Sequence, residues 1–88
     1  MFDKVALITG VGPGTGSSLA RRFNIGGYKV AMIARDKNRL KLLEDELQAS
    51  KGYSCELRNP ELLNKTIDEV ITDFGYPDVF IHNAVRGT

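Results

Sequence analysis

The sequence predicts an α/β fold on a doubly wound parallel sheet, and three observations carry that expectation. Three short, unbroken apolar runs stand out: Val5-Ala6-Leu7-Ile8, Val30-Ala31-Met32-Ile33-Ala34 and Val79-Phe80-Ile81. A strand apolar at every position is buried on both faces, as strands of a parallel sheet are. The intervals between the runs hold segments with helical periodicity. A stretch with glycine at alternate positions, Gly10, Gly12, Gly14 and Gly16, separates the first run from the first of these helices.

In chain order, the first strand is Val5 to Ile8. The first helix is expected to begin near Gly14 to Gly16, run through Leu19, Ala20 and Phe23, and stop at Gly26-Gly27, where glycine adopts the left-handed end conformation. The second strand follows at Val30 to Ala34. Asp36 is then the N-cap of a second helix whose Leu40, Leu43 and Leu47 share a face, with Glu44, Asp45 and Glu46 mostly towards water. A weaker strand candidate comes next, Tyr53-Ser54-Cys55-Glu56-Leu57. The third helix is the clearest. Asn59 caps it, Pro60 occupies its first turn, and Leu63, Ile67, Val70, Ile71 and Phe74 recur on one side until Gly75 and Pro77 end it. The last strand is Val79 to Ile81. Right-handed crossovers applied to this order give a Rossmann-like sheet with helices on both faces, truncated after about four strands.

The chain has 88 residues, enough for one domain, with twelve Lys plus Arg against eleven Asp plus Glu. That balance offers no basic excess for a nucleic-acid groove or a membrane surface, so neither partner is expected. Cys55 and His82 are the only residues of their types, which excludes a disulfide scaffold and a Cys/His zinc set. Without a signal-peptide pattern or a run of about eighteen apolar residues, a cytoplasmic location is expected.

The segment Thr9-Gly10-Val11-Gly12-Pro13-Gly14-Thr15-Gly16 carries the chemistry. A bare strand-to-helix turn needs one or two glycines, and each further one costs chain entropy. Glycines let the backbone approach a ligand closely, and the N–H groups and dipole of a helix start attract phosphate. A nucleoside-triphosphate P-loop requires lysine after the last glycine, but Ser17-Ser18 follow. The G-x-G-x-x-G form requires glycine at position 15 or 17, where Thr15 and Ser17 stand. The spacing T-G-x-x-x-G-x-G does fit, at Thr9, Gly10, Gly14 and Gly16.

With that spacing the whole chain resembles the short-chain dehydrogenase/reductase family. Leu19-Ala20, Gly27 and Val30 stand where that family carries its first helix and second strand, and Ala34-Arg35-Asp36 follows. Glu56-Leu57 is similar to the family's Asp-Val beside the adenine. Phe74-Gly75 and Asp78 to Val85 resemble the segment ending in Asn-Asn-Ala-Gly, with His82 in place of the first asparagine and Val85 in place of the glycine. The resemblance implies that residues 1–88 are a dinucleotide-binding domain, the N-terminal half of an oxidoreductase. It implies cofactor contacts at Thr9, Gly10, Gly12, Gly14, Thr15, Gly16, Glu56, Leu57, Asn83 and Ala84.

In dinucleotide folds an acid after the second strand binds the ribose hydroxyls of NAD, whereas arginine there pairs with the 2′-phosphate of NADP. Arg35 holds that place, so the expected cofactor is NADP(H), with NAD(H) second; Asp36 is the acid nearby but is better used as the helix cap. The family's Tyr-x-x-x-Lys does not occur: Met32, Leu57 and Phe80 stand four residues after Tyr28, Tyr53 and Tyr76. No catalytic residue is therefore assigned, these 88 residues alone are expected to be inactive, and His82 and Cys55 read as structural. Two alternatives remain. Val11 to Gly16 also resembles the G-x-G-x-G loop of AdoMet-dependent methyltransferases, although no acid stands at Gly10 or Ala34 where those enzymes carry one. The fold can also serve as a non-catalytic association module. Self-association, or a partner covering the sheet edge at Val79-Phe80-Ile81, is expected.

Overall fold

The two apolar runs nearest the start of the chain form the two central strands of one parallel sheet. The computed structural model describes residues 3–11 and 14–83. Its elements are β1 (Lys4–Thr9), α1 (Thr15–Ile25), β2 (Tyr28–Ala34), α2 (Lys37–Glu46), β3 (Ser50–Ser54), α3 (Pro60–Phe74) and β4 (Val79–His82). The strand order is β3-β2-β1-β4, all parallel. Alternation along β1 and β2 sends side chains to two cores. Ile8, Val30, Met32 and Ala34 pack with Ala20 of α1 and with Leu40 and Leu43 of α2. Leu7, Ala31 and Ile33 pack on the other face with Tyr53, Cys55 and Val70, and Leu63, Ile67 and Phe74 of α3 close over them. Leu7, Ile8, Met32 and Ile33 are wholly buried, each worth roughly 1.5–3 kcal/mol of transfer free energy. This is the expected Rossmann-like fold, with helices on both faces.

Local signals set the helix ends as the sequence anticipates. Asp36 Oδ1 accepts the N–H groups of Asn38 at 2.9 Å and Arg39 at 3.1 Å. Asn59 Oδ1 does the same for Glu61 and Leu62, both at 3.1 Å. Such a cap contributes about 1 kcal/mol. The start of α1 differs, because Gly14 occupies the N-cap and has no side chain to offer.

The third strand lies earlier than Tyr53 to Leu57: it runs from Ser50 to Ser54, paired to β2 from Val30↔Ser50 to Ala34↔Ser54. As an edge strand it needs only one ladder of backbone bonds, and Tyr53 is its single buried side chain, so no apolar run marks it. Gly52 lies directly beneath α2, where an added Cβ would stand 2.7 Å from Leu40 Cβ. Its N–H is held by Glu44, which is thereby drawn in from the water-facing side expected for it.

A polar clasp fixes β3 to α3. Asp73 Oδ2 accepts the Tyr53 hydroxyl at 2.6 Å and Lys51 Nζ at 2.9 Å. The tyrosine hydroxyl first, and then the lysine, hold the Asp73 carboxyl below the usual carboxylate range. A depressed folded-state pKa stabilises the fold above the unfolded value, about 3.9, and that stabilisation is lost as pH falls through the folded value. Asp73→Asn is therefore expected to lower the thermal midpoint at neutral pH, with the gap to the parent closing below about pH 4. A gap that stays constant from pH 7 to pH 3 contradicts the clasp.

Candidate functional site

From β1 the chain turns to α1 on one face of the sheet, whereas β4 is reached through α3 on the other. β1 and β4 are thus neighbours whose described helices, α1 and α3, lie on opposite faces, and open α/β sheets leave a crevice for ligands outside the C-terminal ends of such strands. The register brings Thr9 opposite His82. Thr9 Oγ1 and His82 Nδ1 lie 2.6 Å apart, and the Asn83 N–H donates to Thr9 O at 3.1 Å. Asn83 Nδ2 donates to Gly10 O at 3.1 Å. His82 is exposed and pairs with Thr9, and Thr9 and Asn83 brace the base of the glycine loop. Gly10 turns the chain with φ 74°, and its N–H returns to Ile33 O at 2.8 Å.

The glycines differ in what surrounds them. A Cβ on Gly16 would stand 2.7 Å from Val11 Cα and 2.8 Å from Gly10 O, so this residue lets α1 press against the loop. Among the described residues, a Cβ on Gly14 would meet nothing within 4 Å. Gly14 and Thr15 are exposed at the start of α1, with no side-chain cap and no acid in its first turn. A small anion can approach this helix end as closely as the backbone permits. Gly12 and Ala84, two further residues of the expected site, lie outside the described residues, as does Val85.

A second group gathers at the ends of β2 and β3. Arg35 is exposed just beyond β2, and its Nη1 lies 3.6 Å from Glu56 Oε2. Glu56 follows β3 rather than belonging to it, and Leu57 beside it packs on the α3-side core. Arg58, which sequence reasoning missed, places Nε 3.6 Å from Glu56 Oε1 and donates its backbone N–H to the same oxygen at 3.3 Å. That backbone bond first, then the charges of Arg58 and Arg35, hold the Glu56 carboxyl below its usual range. The available signal was a second basic residue two positions after the glutamate.

The model of the short chain dehydrogenase family matches residues 4–87. The chain belongs to the short-chain dehydrogenase/reductase family. This short-chain dehydrogenase/reductase chain is 34% identical over 87 residues to a probable 2,4-dienoyl-CoA reductase of Caenorhabditis elegans, covering 92% of this chain and 28% of that protein. Among solved structures it is similar to actinorhodin polyketide ketoreductase with NADPH, at 30% identity and TM-score 0.90, over 98% of this chain and 36% of that one. It is likewise similar to a 3-ketoacyl-(acyl-carrier-protein) reductase from Brucella melitensis complexed with NADH, at 31% identity and TM-score 0.82, over 90% and 33%. The chain thus spans about a third of the length of these relatives. Family membership decides against the methyltransferase reading of the glycine loop. Both of those reductases were solved with a nicotinamide dinucleotide. Among the described residues, no helix is long and apolar enough to cross a membrane.

Proposed function

We propose that residues 1–88 form the dinucleotide-binding domain of a cytoplasmic short-chain dehydrogenase/reductase and hold NADP(H) in preference to NAD(H). The observation that carries this reading is the uncapped start of α1 at Gly14, where among the described residues nothing stands within 4 Å of an added Cβ, beside the C-terminal ends of the paired strands β1 and β4. The pyrophosphate would lie along Gly10, Gly12, Gly14, Thr15 and Gly16, with Thr9 and Asn83 bracing the loop beneath it. Arg35 would take the 2′-phosphate, Glu56 and Leu57 the adenine side, and Asn83 and Ala84 the ribose nearer β4. When bound, the cofactor supplies a hydride donor or acceptor; these residues bind and orient it. No tyrosine is followed four positions later by lysine, so the role of the 88 residues ends at cofactor binding.

The preference is tested at Arg35. A charge-assisted arginine bond is worth about 1.5–3 kcal/mol, so NADPH is expected to bind roughly tenfold or more tighter than NADH. Arg35→Asp is expected to erase that difference in calorimetric titrations. Equal affinities in the parent chain remove the role given to Arg35.

The sheet edge motivates the partner reading. In β4, Phe80 is 53% exposed, and Val79 to His82 contains neither lysine nor proline, whereas the opposite edge strand carries Lys51. Lysine and proline are the usual protections of an edge. The 88-residue chain is expected to self-associate through β4, giving a sedimentation coefficient that rises with concentration. A monomer at every concentration contradicts this.

A further inference from the structure

The contacts of Glu56 say more than a place beside an adenine. Its two carboxylate oxygens face two different guanidinium groups, Arg35 at 3.6 Å and Arg58 at 3.6 Å. The three partners are not held equally. Glu56 is also fixed by the Arg58 backbone N–H. Among the described residues, the arginine side chains, 67% and 81% exposed, have only these long ion pairs with Glu56. Exposed pairs of this kind contribute little, so either guanidinium swings to a better anion at little cost. A phosphate monoester is such an anion, with up to two charges and three acceptor oxygens.

We propose that Arg58 is a second specificity-determining residue for the ribose 2′-phosphate, and that Glu56 is the counter-charge which holds Arg35 and Arg58 in the free chain and weakens their hold on the bound phosphate. The inference rests on the reading of Arg35 as the 2′-phosphate residue. The two guanidiniums lie on the two oxygens of one carboxylate, so they are close enough to converge on one phosphate. Glu56 stays in place on its backbone bond and repels the incoming dianion. The preference for NADP(H) is accordingly smaller than two arginines alone would produce.

The probes are adenosine 2′,5′-bisphosphate and 5′-AMP, which share the adenine and differ in the 2′-phosphate; their affinity ratio cancels any contact of Glu56 with the base. Calorimetric titration of the full chain is expected to show Arg58→Gln lowering the ratio about three- to tenfold, and Glu56→Gln raising it by a similar factor, about three- to tenfold. All these side chains are at the surface, and far-ultraviolet circular dichroism checks that each variant is folded. If Arg35→Gln collapses the ratio while Arg58→Gln and Glu56→Gln leave it unchanged, this inference fails and the role of Arg35 stands. If Arg35→Gln also leaves it unchanged, the 2′-phosphate reading itself fails. A parent chain that binds neither probe overturns both.

Discussion

Gly16→Ala is expected to destabilise the fold by about 1–3 kcal/mol through a backbone clash, whereas Gly14→Ala, two residues earlier, is expected to cost only the N-cap preference for glycine over alanine, about 1 kcal/mol. The new methyl at position 16 would stand 2.7 Å from Val11 Cα, 2.8 Å from Gly10 O and 3.2 Å from Asn83 Nδ2. The first two are backbone atoms of the loop and cannot swing aside as the end of a side chain can. Either the loop moves off α1, or the bond from Asn83 to Gly10 O stretches. Alanine's better helix propensity, at most about 1 kcal/mol, offsets only part of that cost. At position 14 the methyl would meet nothing within 4 Å among the described residues, so no clash of the kind at position 16 arises. For a domain of this size each kcal/mol moves the thermal midpoint by roughly 4–8 °C. Melting curves of the two variants without ligand separate the outcomes. An unchanged midpoint for Gly16→Ala contradicts the packing role of that residue.

Gly14→Val is expected to leave the fold standing and to weaken NADPH and NADH alike by roughly a hundredfold or more. The reason is the reverse of that for Gly16: among the described residues nothing stands within 4 Å of a Cβ on Gly14, and what a side chain there is proposed to displace is the ligand. If the pyrophosphate loses two charge-assisted bonds to the start of α1, at about 1.5–3 kcal/mol each, the loss is some 3–6 kcal/mol. It falls on the part common to both cofactors, so their ratio stays as in the parent. Arg35→Asp does the opposite, changing the ratio and sparing the common part. Titration of Gly14→Val with both dinucleotides, beside a melting curve, checks this. Parent-like affinity in a folded Gly14→Val chain removes the pyrophosphate from the glycine loop.

How much of this was legible in the sequence depends on how local each signal is. Asp36 and Asn59 were readable as caps because a cap bonds within three residues of itself. The runs at Val5 and Val30 were readable as strands because β1 and β2 are central and covered on both faces. β3 was placed too late because an edge strand has no such constraint: Ser50-Lys51-Gly52 carries its ladder without an apolar residue, and Gly52 acquires its meaning only when α2 lies over it. At the site, the spacing of Thr9, Gly10, Gly14 and Gly16 pointed to the loop but not to the different duties of its glycines. Those depend on neighbours brought in by folding, among them Asn83, which bonds a carbonyl 73 residues away. The bond between Thr9 and His82 needs the β1–β4 register for the same reason. Arg58 was passed over because its pairing with Glu56 arises from the turn between β3 and α3, which the misplaced strand concealed.

The most direct test of the site is an amide-by-amide nuclear magnetic resonance map of the isotopically labelled chain titrated with NADPH, followed by a challenge with AdoMet. The expected result is saturable perturbation greatest at Gly14, Thr15 and Gly16, extending to Arg35, and no displacement by AdoMet. Perturbation that bypasses the start of α1, or displacement of NADPH by AdoMet, would contradict a dinucleotide held at the C-terminal ends of β1 and β4.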